Sequence, residues 1–188
     1  MEVGYSQTQI HCFIPGIGMM GYGQPHNIVK EQATPLWTRT VIFKDKNDEY
    51  FIFINMELAL VSIAVKEEVT RKLQAHFPDW NLNLAKIMIT SQHTHSAPGG
   101  YSHYPFYNFT VPGFRPTIFK AVVESAVESV KEASKRILPS TLKLGNYKIP
   151  AEKEVAFNRS MKAYLNNPEV AKISAEESHL AIDREMIG

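Results

Sequence analysis

The residues of this chain whose types and spacing best suit chemistry are two histidines separated by one position, His93 and His95. They follow a β-rich run and precede a Pro-Gly-Gly sequence at residues 98–100. In an extended segment, side chains two positions apart point to the same side, so both imidazoles would enter one small volume at a strand end. Neutral imidazole is a common metal ligand and the usual proton carrier near neutral pH. Because the glycines can turn the chain away and leave that volume open, the pattern predicts part of a metal-dependent hydrolytic site.

A His-x-His pair also occurs by chance, and many histidines only make structural hydrogen bonds. One such pair supplies at most two ligands, whereas a catalytic zinc usually has three protein ligands and an open position. The spacing alone therefore leaves both interpretations open, and further ligands would have to come from elsewhere.

Bulk composition excludes several classes of function. The chain has 188 residues, which fits one domain or part of a larger one. Its net charge of +1 gives no electrostatic case for binding nucleic acid. No apolar run is long enough to span a bilayer, and the N-terminus lacks the features of a signal peptide, as a mature secreted chain also would. The single cysteine, Cys12, excludes an internal disulfide, and its apolar neighbours predict a buried thiol and not a nucleophile.

The elements that must position the histidines alternate between strands and helices. Apolar residues at every fourth position, such as Val65, Val69 and Leu73, predict a helix with one buried stripe. We expect strands over residues 9–15, 36–44, 49–55, 84–90 and 142–149, a further strand that begins near residue 181, and helices over residues 58–77 and 116–137. The second and third strands should form an antiparallel hairpin. This order predicts an α/β fold, a layered mixed β-sheet flanked by helices, with the histidines at a strand C-terminus.

Four segments of the chain resemble motifs of one family. The stretch from Ser91 to Tyr101, S-Q-H-T-H-S-A-P-G-G-Y, resembles the T-H-T-H-S-G-P-G-G-Y motif of the neutral (non-lysosomal) ceramidase family. Residues 18–23 resemble its M-M-G-Y segment, and residues 104–114 resemble the segment that follows the histidine motif. Residues 157–168 resemble its I-N-R-S…A-Y-x-x-N-P pattern. The four matches occur in the family's order and cover nearly the whole chain, so together they are far more specific than any one of them.

The resemblance implies zinc-dependent hydrolysis of the amide bond of ceramide or a similar N-acyl lipid, which yields sphingosine and a fatty acid. By position, His93 would be a zinc ligand, and His95 would lie beside the metal in contact with the substrate or the attacking water. Arg159 would bind substrate or stabilise the negative charge that develops during acyl transfer. Gly21 and Tyr101, which belong to matched motifs, would be substrate-binding positions. Members of the family are typically secreted or extracytoplasmic.

The chain departs from the family pattern in three places and lacks several of its functional residues. Ala97 replaces the usual glycine, Gly23 replaces a more usual alanine, and residues 27–35 match poorly. A second zinc histidine, a serine in a G-D-V-S-like loop, and later Glu and Tyr ligands have no counterpart here. We therefore expect residues 1–188 to be the N-terminal portion of an incomplete ceramidase-like catalytic domain, with weak or no activity alone. Any peripheral membrane contact would be made by the missing parts.

Two other functions remain open at this point. A related metallohydrolase on the same scaffold would act on another amide or ester, and the aromatic residues within 106–114 could line an acyl groove in either enzyme. A non-catalytic binding or structural domain that has lost its active half is the third possibility. Substrate panels separate the first two, and the downstream sequence of the full-length gene tests the third.

Overall fold

The structure is a computed structural model that describes residues 1–109, 111–170 and 172–188. The chain divides into two compact units, Met1–Ser140 and Thr141–Gly188. Thr110, which belongs to the third family-like segment, lies outside the described residues. Within the described ranges, no helix is both long and apolar enough to cross a membrane.

The first unit is built on a five-stranded mixed sheet. In chain order its elements are β1 (Glu2–Gln9), β2 (Trp37–Lys44), β3 (Tyr50–Met56), α1 (Ile63–His76), β4 (Ile87–Ser91), α2 (Pro116–Ser134) and β5 (Leu138–Pro139). The strands lie in the sheet in the order β4-β3-β2-β1-β5. β4 runs parallel to β3, and the other pairs are antiparallel. The α/β fold with a mixed sheet and flanking helices, predicted from the order of elements, is confirmed.

The predicted hairpin is also confirmed, and it supplies a strand with one fully buried face. β2 and β3 pair antiparallel with Thr40 opposite Ile54, and β3 lies between β2 and β4. Ile52, Ile54 and Met56 on β3 are fully buried, as expected for an apolar strand with neighbours on both sides. The hairpin thereby fixes the strand against which β4, and hence the histidine segment, is aligned.

Both predicted helices form, with shorter limits than expected. α1 begins at Ile63 and not at residue 58, because Ser62 caps it: the Ser62 hydroxyl accepts a hydrogen bond from the Val65 amide at 3.4 Å. Its stripe of Val65, Val69 and Leu73 is fully buried, as predicted. α2 begins with Pro116 in its first turn and ends at Ser134, and it packs across β1 and β2 and against α1.

The first predicted strand, over residues 9–15, is wrong. The observed strand is β1, which ends at the residue where the predicted strand begins. The sequence does not predict β1, because the inward-facing residues of this strand are small or polar. Ser6 and Thr8 face α2, and their hydroxyls bond to Ser129 and to the Ser125 carbonyl oxygen. A buried face held by hydroxyl groups gives no alternation of apolar residues, so the pattern in the sequence pointed to the neighbouring apolar segment.

The second unit has little regular structure. It contains β6 (Asn146–Lys148), α3 (Met161–Leu165) and β7 (Glu185–Ile187), with β6 and β7 paired antiparallel. The predicted strands in this region are therefore present but shorter. Arg184 is 7% exposed, and its guanidinium donates hydrogen bonds to the carbonyl oxygens of Ile149, Pro150, Lys153 and His179. A buried cation satisfied by four carbonyl groups holds the unit together from within.

Candidate active site

The two histidines lie just beyond the C-terminal end of β4. The Gln92 amide still bonds to the Met56 carbonyl oxygen at 3.1 Å, and the chain then turns at His93, whose φ is +61°. The extended conformation expected at His93 is therefore wrong, because this residue adopts the left-handed region that non-glycine residues rarely occupy. The expected convergence is nevertheless present: Nε2 of His93 lies 3.0 Å from Nε2 of His95.

A backbone carbonyl sets the proton arrangement of this pair. Nδ1 of His93 lies 2.7 Å from the carbonyl oxygen of Ala59, which can only accept, so Nδ1 carries the proton. A neutral ring with its proton on Nδ1 has its lone pair on Nε2, to which the Nε2–H tautomer of His95 would donate. This Nδ1–H to carbonyl contact is the usual second interaction of a metal-binding histidine.

The family-like segment at residues 18–23 packs directly on the histidine segment. The Met20 amide donates to the Ala97 carbonyl oxygen at 3.2 Å, and the Gly99 amide donates to the Gly18 carbonyl oxygen at 2.9 Å. Gly21 has a φ of +131°, and its Cα faces the ring of His95. The ring of Tyr22 meets that imidazole nearly perpendicularly, with centroids 4.7 Å apart. The two motifs thus form one site although they are far apart in the sequence.

An apolar cavity of about 600 Å³ opens beside this site. The third family-like segment contributes three residues of its 3₁₀ turn to the lining, Pro105, Phe106 and Tyr107. The wall includes Met20, Gly21, Leu60, His93, Phe106 and Phe109. Phe106 and Phe109 are 83% and 86% exposed. The cavity therefore has room for an apolar chain and places an imidazole in its wall.

Tyr101 occupies the interior beneath the histidine segment. Its side chain is fully buried, and its hydroxyl donates to the Leu60 carbonyl oxygen at 3.0 Å and accepts from the Leu60 amide at 3.3 Å. Burial raises the pKa of the phenol to about 12. Direct contact of Tyr101 with substrate stays a prediction from the resemblance, because in this structure the side chain contacts the protein interior.

Comparison with known proteins identifies the family of this site. Residues 1–187 match the family model described as neutral/alkaline non-lysosomal ceramidase, N-terminal. The chain belongs to this ceramidase family. The neutral ceramidase of Mycobacterium tuberculosis is 35% identical over 175 residues, which cover 92% of this chain and 27% of that relative. The neutral ceramidase of Pseudomonas aeruginosa is 31% identical over 156 residues, which cover 82% of this chain and 22% of that relative.

A solved structure agrees with the fold as well. The crystal structure of neutral ceramidase from Pseudomonas aeruginosa superposes with a TM-score of 0.86 at 29% identity, and the match covers 99% of this chain and 28% of that chain. The chain spans about a quarter of the length of the ceramidases it matches. The predicted family and fold class are confirmed by these matches.

Arg159, the third residue that the ceramidase resemblance places in the site, belongs to the second unit. It is exposed, and the backbone on both sides of it is anchored. The Asn158 amide donates to the Ser178 carbonyl oxygen at 3.0 Å, and the Asn158 side chain accepts from the Ser160 amide at 2.8 Å. Its guanidinium is thus presented from a turn whose main chain is held in place.

The donor atoms present fit part of a zinc site. Nε2 of His93 belongs to a ring that the Ala59 carbonyl oxygen orients through Nδ1, and an imidazole nitrogen held in this way suits zinc. Among the described residues, however, no three His, Cys, Asp or Glu side chains come together closely enough to hold a metal ion. The described residues therefore offer one imidazole nitrogen that suits zinc and no complete set of three ligands.

Two contributors to the site were missed by reasoning from sequence. The Ala59 carbonyl oxygen, which orients His93, has no signal in the side-chain pattern because any residue supplies a carbonyl group. Tyr22, which packs against His95, stands inside the matched M-M-G-Y segment, so that motif could have identified it.

Proposed function

We propose that residues 1–188 carry the first part of the active site of a zinc-dependent amidohydrolase that cleaves the N-acyl bond of ceramide or a similar N-acyl lipid. The products would be sphingosine, or a related amine, and a fatty acid. One observation carries the proposal: the Nε2 atoms of His93 and His95 lie 3.0 Å apart, and His93 lines an apolar cavity of about 600 Å³. The family membership and the names of the matched ceramidases support the same reaction.

His93, His95 and Arg159 would each have a separate role in the reaction. His93 would hold zinc through Nε2, and bound zinc would polarise the amide carbonyl and lower the pKa of its water to about 7. His95, whose Nε2 lies beside that of His93, would exchange a proton with the attacking water or the departing amine. Arg159 would stabilise the negative charge that develops on the acyl oxygen, where a fixed guanidinium is most effective in a water-poor pocket.

The apolar cavity supports a lipid substrate. Met20, Leu60, Phe106 and Phe109 present carbon surface next to His93. Burial of apolar surface is favourable by roughly 25 cal/mol per Å², so a hydrocarbon chain placed here would gain several kcal/mol. We propose that one hydrocarbon chain of the substrate occupies this cavity while its amide group lies at the histidines.

The 188-residue chain alone would hydrolyse such a lipid poorly or not at all. Its described residues bring together two imidazoles and no third ligand, and it spans about a quarter of the length of the matched ceramidases. We therefore propose that residues 1–188 are the N-terminal portion of the catalytic domain and that the remaining zinc ligands come from further polypeptide.

The test compares variants within the longest natural polypeptide that contains residues 1–188. Purified protein is assayed for zinc content and for release of a labelled fatty acid from ceramide. We expect His93→Ala, His95→Ala and Arg159→Ala each to lower kcat/KM by about a hundredfold or more. His11→Ala, which removes an exposed histidine elsewhere in the first unit, should leave turnover unchanged.

The other outcomes distinguish the competing functions. Turnover of simple amides or esters in place of ceramide would favour a related metallohydrolase. A polypeptide that binds no zinc and hydrolyses none of these substrates would favour a non-catalytic domain and would overturn the proposal.

A further inference from the structure

One peptide group connects Tyr101 to His93. The carbonyl oxygen of Ala59 accepts the hydrogen bond from Nδ1 of His93, and the amide of Leu60 donates to the hydroxyl of Tyr101. These two groups are the two ends of the same planar peptide unit. A rotation of that plane would therefore break both contacts together, and each bond polarises the other.

The main chain around this peptide has few other hydrogen bonds, although Leu58 and Ala59 are buried in the core. It lies after β3 ends at Met56 and before α1 begins at Ile63, so neither a sheet ladder nor a helix holds it. Tyr101 bonds to both backbone groups of Leu60, at 3.0 and 3.3 Å. The only other side chain that bonds to Ala59 or Leu60 within the described residues, besides His93, is Ser91, whose hydroxyl reaches the Ala59 carbonyl oxygen at 3.4 Å.

The tyrosine is itself firmly placed. Its side chain is fully buried, and it lies two residues after the point where Gly99 bonds to Gly18. Because burial disfavours the phenolate, the hydroxyl keeps its proton and can donate and accept at once. A buried hydroxyl that makes both bonds is a rigid clamp on the peptide that it contacts.

We propose that Tyr101 is a positioning residue: by clamping the Ala59–Leu60 peptide it keeps the proton of His93 on Nδ1 and turns the Nε2 lone pair toward the site. Tyr101 thus acts through the backbone and does not need to touch the substrate. The use of that lone pair by zinc rests on the proposed function, whereas the proton position is a property of the chain without metal.

The test uses Tyr101→Phe in the 188-residue chain, because phenylalanine keeps the ring and removes only the hydroxyl. Long-range ¹H–¹⁵N correlation spectra of the metal-free chain, at a pH where imidazole is neutral, report which nitrogen of His93 is protonated. We expect the Nδ1–H form in the parent chain and a mixture of both forms in the variant. Zinc affinity should fall by about tenfold in parallel, the usual effect of removing an outer contact of a ligand.

Two control variants separate positioning from general damage. Tyr104→Phe removes the hydroxyl of a partly exposed tyrosine three residues away and should change neither readout. Ser129→Ala removes a buried hydroxyl that bonds to Ser6, remote from the histidines, and should lower stability without moving the His93 proton. If Tyr101→Phe and Ser129→Ala alter the His93 spectrum equally, or if Tyr101→Phe leaves it unchanged, the proposal is wrong.

A measurement on the parent chain keeps the proposal testable if the Tyr101 variant fails to fold. The Leu60 amide, held by the tyrosine hydroxyl, should exchange with solvent far more slowly than amides of exposed loop residues. Exchange of Leu60 at the rate of an open loop would contradict the clamp. Because the proton position of His93 and the exchange of the Leu60 amide are measured without zinc or ceramide, a failure here is distinguishable from a failure of the hydrolase assay.

Discussion

The imidazole of His95 lies directly against the Cα of Gly21. A Cβ atom added at Gly21 would lie 2.8 Å from the Cβ of His95 and closer still to its ring, and the φ of +131° at Gly21 is itself unfavourable for any side chain. We expect Gly21→Ala to displace the His95 ring from Nε2 of His93 and to lower the free energy of unfolding by about 2 kcal/mol or more. Urea denaturation and the imidazole NMR signals of both histidines measure the two effects.

Gly23→Ala is the matched control for this substitution. Gly23 lies in the same loop with a φ of +67°, but no heavy atom lies within 4 Å of a Cβ built there. Gly23→Ala should lower the free energy of unfolding by only about 1 kcal/mol, through backbone strain, and should leave the NMR signals of His95 unchanged. In a His95→Ala background, Gly21→Ala should lower the free energy of unfolding by less than it does in the parent chain. Equal losses in both backgrounds would show that the His95 ring is not the obstacle.

Zinc binding by the isolated chain should be weak and should depend on His93. Two imidazoles converge, and no third metal-binding side chain joins them among the described residues. We expect calorimetric titration with zinc chloride to give a dissociation constant far above that of a complete catalytic site, and His93→Ala to weaken it at least about tenfold. His11→Ala should bind like the parent chain. Tight binding that survives His93→Ala would contradict the assignment of His93 as a ligand.

The sequence predicts those parts of the fold in which buried faces are apolar. The stripe of α1 appears in the sequence because Val65, Val69 and Leu73 all pack into the core. β1 is not predicted, because its inward residues are Gly4, Ser6 and Thr8, and the last two bond to α2 through hydroxyl groups. Gly4 also lets the strand and the helix approach so closely that a Cβ there would collide with the Ala133 carbonyl group. Such a contact depends on shape and hydrogen bonding, which leave no periodic apolar signal.

The candidate site is predictable to a similar extent. The spacing of His93 and His95 predicts that their rings converge, and the structure brings their Nε2 atoms to 3.0 Å. The left-handed turn at His93 and the carbonyl group of Ala59, 34 positions earlier, are not predictable from the pattern. The reason is physical: any residue can supply a backbone carbonyl, and only the tertiary fold decides which one lies beside the ring.

Cys12 should make the folded chain less stable in alkaline solution. Its side chain is 2% exposed, and burial raises the pKa of the thiol from 9.0 to about 11. The contribution of the buried thiol to the free energy of unfolding is fully present below pH 9, where the folded and the unfolded chain both keep the thiol proton. As pH rises from 9 through 11, the unfolded chain releases a proton that the folded chain retains, so about 2–3 kcal/mol of stability is lost.

The alkaline loss is measured as a difference between the parent chain and Cys12→Ala. Urea denaturation at several pH values gives the free energy of unfolding of each protein. The values for the two proteins should approach one another as the pH rises through this window, because the variant lacks the titrating thiol. The charge of the Cys12 thiolate contributes to the raised pKa of the buried Tyr101 phenol, so the two proteins are compared below pH 11, where folded Cys12 still keeps its proton. A difference that stays constant with pH would contradict the proposed cause.

Two threonines on β2 should respond differently to the same substitution. Thr38 and Thr40 are both buried, but the Thr38 hydroxyl bonds to the Ser125 hydroxyl at 2.9 Å, whereas the Thr40 hydroxyl has no hydrogen-bond partner among the described residues. Valine has nearly the same shape as threonine, so each substitution mainly replaces a hydroxyl with a methyl group.

Thr38→Val should lower the free energy of unfolding by about 1 kcal/mol, because it removes a hydrogen bond and leaves the Ser125 hydroxyl with one partner fewer. Thr40→Val should leave the free energy of unfolding unchanged or raise it by about 1 kcal/mol, because it relieves a buried polar atom of its desolvation cost. Urea denaturation of the two variants beside the parent chain measures both, and equal losses would mean that the Thr40 hydroxyl makes a bond in solution.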